Sequence, residues 1–143
     1  MGASRIKLFL VALALLLAGG WLGAFASERL ATYREGIASE AICIQANEAF
    51  HAKDLARAEL LAFKAIPLDP DSYLPYEELG NIFIQRNETA AAITAYSLAL
   101  QKLTENKGHY RVVRQLDPSM RQQELALLRD TIAKLKMADT GTK

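Results

Sequence analysis

The chain has 143 residues, enough for one modest domain. Its 17 basic and 16 acidic residues nearly cancel, which sets aside nucleic-acid binding, a task for which a chain of this size needs a basic face. The single cysteine, Cys43, excludes an intramolecular disulfide, and the two histidines, His51 and His109, stand too far apart for a metal-ligand motif.

The first element is hydrophobic. Residues 8–26 read LFLVALALLLAGGWLGAFA, 19 residues without a charge, close to the roughly 20 apolar residues that span a bilayer. Arg5 and Lys7 precede it and no acid occurs before Glu28, a slight bias toward a cytoplasmic N-terminus with the rest of the chain outside. Trp21 suits an interfacial anchor. The same residues fit a cleavable signal peptide, with MGASRIK as the n-region and Ala24-Phe25-Ala26 as an A-x-A site before Ser27. Both readings stay open. The expected localisation is a single-pass membrane protein with its C-terminal domain extracytoplasmic, or a soluble exported domain after cleavage. No cysteine lies at the end of the segment, so a lipoprotein is excluded.

Residues 27–38 read as a helical linker. Beyond them the chain repeats. QANEAFHAKDLARAELLAFKAIPLDP (45–70) aligns without a gap on LGNIFIQRNETAAAITAYSLALQKLT (79–104), at an offset of 34 residues. Ala46 falls on Gly80, Asn47 on Asn81, and Ala58, Ala62 and Ala65 on Ala92, Tyr96 and Ala99. Small residues at these places let antiparallel helices approach closely, and Phe83 and Tyr96 fill the space beside them. The second helix of each copy carries an apolar stripe at helical spacing, Leu55 to Ile66 in one and Ala92 to Leu100 in the other. Asp54 is expected to cap the helix starting at Leu55, and Asn87 the helix starting near Glu88. Asp69-Pro70-Asp71-Ser72 reads as a helix stop followed by a new N-cap, with Pro75 in the first turn of the next helix.

Lys107-Gly108 is expected to break the preceding helix, and Asp117-Pro118 to start a last one. Leu125, Leu128, Ile132 and Leu135 form its apolar stripe, with Arg121, Gln122, Arg129 and Lys136 off it. This helix either packs on the open end of the second repeat, whose apolar face is otherwise uncovered, or binds a partner itself. The tail ADTGTK is expected to fray.

A period of 34 is that of the tetratricopeptide (TPR) helix–turn–helix unit. The second copy resembles that family in Tyr76, Leu79, Gly80 and Phe83 of its first helix and Ala92, Tyr96 and Ala99 of its second. The first copy is weaker in its first helix (Ile42, Gln45, Ala46, Ala49) and strong in its second (Ala58, Ala62, Ala65), ending in Leu68-Asp69-Pro70. The resemblance implies an all-α, TPR-like solenoid. It would comprise repeats at 39–72 and 73–106, a connector, capping helix and tail at 107–143, and the transmembrane or signal helix at 1–26.

TPR units bind partners in a concave face built mainly from the first helix of each repeat. The resemblance places Glu40, Cys43, Asn47, Phe50 and His51 there from the first copy, and Leu74, Glu77, Asn81, Ile84 and Gln85 from the second. The recurring amide at Asn47 and Asn81 suits the backbone of an extended peptide, or is tolerated on a half-exposed helix. Phe50 and Ile84 are apolar anchors or core residues. The basic residues with which some TPR domains clamp a carboxylate are missing, since Cys43 and Glu77 stand in their places. A neutral or mildly basic apolar peptide, or a partner helix, is the expected ligand. Cys43 is either a reactive thiol or a small buried hydrophobe.

No phosphate-binding glycine loop, metal cluster or nucleophile–base arrangement is legible, so neither an enzyme nor a cofactor is expected. Glu40 and Glu77-Glu78 read as solvated faces. The expected function is a protein–protein interaction adaptor in the assembly or maturation of an envelope or membrane complex. The alternatives are a structural accessory subunit held by its membrane helix, where Gly19, Gly20 and Gly23 permit close packing, and self-association of the short solenoid.

Overall fold

A computed structural model describes the backbone of residues 3–105 and 118–140, and the side chains of residues 27–105 and 119–140. Among these residues the chain is all-helical: α1 (Ala3–His51), α2 (Leu55–Ala65), α3 (Leu74–Gln85), α4 (Thr89–Glu105) and α5 (Pro118–Thr140). The chain divides into two compact units, Met1–Arg34 and Glu35–Lys143. Among the described residues no helix is long and apolar enough to cross a membrane. The membrane or signal segment expected at 8–26 lies outside the residues described to side-chain level, as does the break at 107–108, and Asp117 is outside the described residues altogether.

The second unit is built from helices packed in chain order: α2 on α3, α3 on α4, and α4 on α5. The last part of α1 runs antiparallel to α2. The Ser39 hydroxyl donates to the Ala65 carbonyl at 3.0 Å, Ala46 and Ala62 share one buried cluster, and Ala49 and Ala58 share another. Alanine is the strongest helix former and has no side chain to keep helices apart. Ala46, Ala58, Ala62, Ala65, Ala92 and Ala99 are all fully buried. Larger residues fill what the alanines leave. Ile82, fully buried against Ala49 and Ala58, contributes about 1.5–3 kcal/mol by leaving water.

The turn that joins α1 to α2 recurs between α3 and α4. Lys53 and Asn87 both adopt the left-handed conformation, at φ 64° and 62°. The Lys53 amide donates to the Phe50 carbonyl and the Asp54 amide to Ala49. Thirty-four residues on, the Asn87 amide donates to Ile84 and the Glu88 amide to Phe83, all four bonds within 0.1 Å of one another. A left-handed residue followed by a reaching-back amide closes the exposed carbonyls of a helix C-terminus. The next bond repeats as well, Ala58 to Asp54 and Ala92 to Glu88.

Two capping expectations divide on this turn. Asp54 does cap α2, its carboxylate accepting from the Arg57 amide at 3.1 Å. Asn87 does not cap α4. Its left-handed backbone closes α3 instead, a conformation that asparagine tolerates better than most residues. The segment before α3 also departs from expectation. The residue at the N-cap is Tyr73, with no side-chain cap bond. Ser72 is buried, and Asp71 pairs with Lys102 of α4 at 3.1 Å. Pro75, in the first turn, has no amide to satisfy, which reduces the need for a cap.

Helix α5 starts at Pro118, as its sequence implies, and lays its stripe on α4. Leu128 and Ile132 are buried with Tyr73, Tyr96, Ala99 and Leu103, and Leu125 and Leu135 pack at the edge. Arg121, expected off the stripe, is half-buried. Its guanidinium donates to the carbonyls of Leu103 and Thr104 at 2.9 and 3.0 Å, closing the end of α4. The tail is more ordered than expected. Ala138, Asp139 and Thr140 belong to α5, and the Thr140 hydroxyl donates to the Lys136 and Met137 carbonyls.

Candidate functional site

The residues expected to form a binding surface come from the last two turns of α1 and from α3. The structure sorts them into two groups. Cys43 is 4% exposed, and burial first, then the carboxylates of Glu78, Glu40 and Asp69, pushes its thiol up to about 12. A thiol held neutral in this way is a small hydrophobe and not a nucleophile. Leu74 packs against the cluster shared by α4 and α5. Phe50 packs beside Ala49, Ala58 and Ile82. Its ring takes the His51 imidazole edge-on at 5.6 Å and the Lys53 ammonium at 5.8 Å. These contacts make Phe50 a structural residue first.

The second group faces water in part. His51 and Gln85 are exposed, Ile84 is 40% exposed, and Glu40, Asn47, Glu77 and Asn81 are half-buried. The two asparagines, equivalent by repeat, are held differently. The Asn47 amide nitrogen donates to Glu78 at 3.1 Å, linking α1 to α3. The Asn81 carbonyl oxygen accepts from the Tyr96 hydroxyl at 2.7 Å, linking α3 to α4. Among the described residues, no internal bond is seen to the other half of either amide: the Asn47 oxygen and the Asn81 nitrogen. The pair thus presents one acceptor and one donor, the complement of a peptide unit.

Gly80 explains how Tyr96 reaches Asn81. A Cβ on Gly80 would lie 2.8 Å from the tyrosine ring, closer than any carbon contact allows. The missing side chain is the space that the ring occupies, a case of glycine permitting close approach.

Two residues that sequence reasoning assigned to a solvated face are central here, and a third was not singled out. Glu78 bridges to Asn47. Burial raises its carboxyl, while the Asn47 hydrogen bond and the His51 imidazole lower it. Glu77 is pushed up to about 7, by burial first and then by Glu124 of α5 and by Glu78, with a side-chain hydrogen bond to Glu124. Tyr96 rises to about 12 through burial and the same two acids, Glu77 and Glu78. The carboxylates therefore converge on one region between α3, α4 and α5. Nothing in the spacing of Glu77 and Glu124 signals their meeting. The only sequence hint was the Glu77-Glu78 pair itself.

Among the described residues no three His, Cys, Asp or Glu side chains gather closely enough to hold a metal ion. In comparisons with protein-family models, curated proteins and solved structures, nothing matches the chain.

Proposed function

We propose that this protein is a TPR-like, non-enzymatic adaptor. It holds a peptide or helix of a partner protein against the surface formed by α1 and α3, in the assembly or maturation of a membrane or envelope complex. The observation that carries the reading is the turn repeated at 34 residues. The same left-handed residue and the same four backbone bonds recur, and the small residues Ala46 and Gly80, Ala58 and Ala92, and Ala65 and Ala99 recur at equivalent buried places. Repetition at this period is what the TPR unit predicts. Stacked units of this kind are characteristically binding scaffolds. The open amide atoms of Asn47 and Asn81, with Ile84, Gln85 and His51 around them, suit an extended backbone with one apolar side chain.

Site-specific photo-crosslinking in the native membrane fraction tests this. Gln85 and Phe63 are both exposed, on α3 and α2 respectively. A crosslinker at Gln85 is expected to capture a discrete partner, and one at Phe63 is not. Capture from Phe63 alone would place the partner on the other helix layer and sink the reading. Deleting residues 1–26 separates the adaptor from an accessory subunit held by its hydrophobic segment. The adaptor keeps the Gln85 crosslink in solution, and the subunit loses it.

A further inference from the structure

Helix α5 is fastened in three ways. Leu128 and Ile132 bury apolar surface against α4, Arg121 closes the α4 carbonyls, and Glu124, one turn after Arg121, meets Glu77 from the first turn of α3. The first two are indifferent to pH near neutrality. The third is not, because two carboxyl groups can hydrogen-bond only while one proton lies between them.

The surroundings decide whether a cation could replace that proton. From α3, Glu78 adds a second negative charge beside Glu77. From α4, the Tyr96 hydroxyl is committed to Asn81. From α5, the Arg121 guanidinium is turned to the carbonyls of Leu103 and Thr104. From α1, Asn47 and the His51 imidazole act on Glu78. The proton is the compensating charge that the described residues provide.

We propose that Glu77 and Glu124 form a proton-sharing latch, which holds α5 tightly against α3 and α4 in mildly acidic medium and loosens it as the medium turns alkaline. Glu77 binds its proton more firmly in the folded protein than in an unfolded chain, where its value is 4.5 against about 7 here. A carboxyl raised by folding favours the docked state below its unfolded value, and that advantage is lost as pH climbs through the folded value. The working window is therefore about pH 4.5 to 7. Loosening α5 uncovers the buried faces of Leu128, Ile132 and Leu103. The latch thus controls an apolar surface at the C-terminal end of the helical stack, separate from Asn47 and Asn81. This inference does not depend on what α1 and α3 bind.

Amide hydrogen exchange on the full-length chain in detergent tests it, with protection corrected for the intrinsic pH dependence of exchange. Each pH unit of altered affinity is a factor of ten, so the ceiling is a few hundredfold, and a fall of roughly tenfold or more is expected in α5 between pH 5 and 8. Protection in α2 is expected to stay level. In Glu77→Gln the amide donates to Glu124 with no proton to lose, so α5 should stay protected throughout. Glu124→Gln should do the same. Flat protection of α5 in the wild type, or an unchanged fall in the folded variants, overturns the latch. Should both variants fail to fold, carboxyl-carbon NMR of Glu77 in the wild type decides. A midpoint well above that of an ordinary glutamate supports the latch, and an ordinary midpoint overturns it.

Discussion

The two copies of the repeat share their turn and differ in what fills them. In the first, Ala46 faces Ala62, and the helices meet through two methyl groups. In the second, the equivalent pair is Gly80 and Tyr96, and the ring occupies the space that a Cβ on Gly80 would need. The backbone bonds of the turn hardly notice the change. What changes is the polar layer above. Tyr96 brings a hydroxyl to Asn81, whereas Ala62 leaves Asn47 to reach the next helix at Glu78. One backbone design thus accommodates two interiors, and the interior decides whether an asparagine ties its own helix pair or joins neighbouring pairs.

The largest way to break this comparison is to empty the second copy. Tyr96→Ala removes a ring that is 4% exposed and strands the Asn81 oxygen. Truncating a buried aromatic costs about 3–5 kcal/mol in unfolding free energy. Chemical unfolding followed by circular dichroism checks it. A loss under 1 kcal/mol, roughly that of a surface substitution, would mean the ring is not a core element.

The next test reverses a general rule. In an exposed helix interior, Gly→Ala stabilises by about 1 kcal/mol. At Gly80 the new methyl meets Tyr96 at 2.8 Å. The ring is held by burial and by its bond to Asn81 and cannot swing away. Overpacking of this kind costs about 1–3 kcal/mol, so Gly80→Ala is expected to destabilise despite the better helix propensity. Combined with Tyr96→Ala it recreates the pairing of the first copy. The double variant should then be no less stable than Tyr96→Ala alone, a coupling that a double-mutant cycle reads directly. Additive losses would show that the two residues do not compete for one space.

These pairs also show what was legible before the structure. The helices and the α5 stripe were, because period and small-residue register recur over many positions and no single residue decides them. The exchange of Ala46 and Ala62 for Gly80 and Tyr96 was visible in the alignment of the copies, yet its consequence for Asn81 needed the ring direction. Asn87 was misread because asparagine serves both at helix starts and in left-handed helix ends, and sequence alone does not say which neighbouring helix it closes. The meeting of Glu77 and Glu124 was not legible at all. It depends on how far α5 slides along α4, which is set by Leu128, Ile132 and Arg121 together.

The smallest and sharpest comparison lies in the shared turn. Both copies need a left-handed residue there, at φ 64° for Lys53 and 62° for Asn87. A side chain with a Cβ pays roughly 1–2 kcal/mol in that conformation, and asparagine is among the few that adopt it routinely. Glycine removes the strain but adds freedom to the unfolded chain, which offsets part of the gain. Lys53→Gly is therefore expected to stabilise by about 0.5–1 kcal/mol, less whatever the exposed contact between its ammonium and Phe50 contributes. Asn87→Gly should gain less, since asparagine already fits. Thermal unfolding of the two variants side by side orders them. If Asn87→Gly gains as much as Lys53→Gly, backbone strain is not what distinguishes the turns. The difference between the copies would then rest on the Ala62-to-Tyr96 exchange alone.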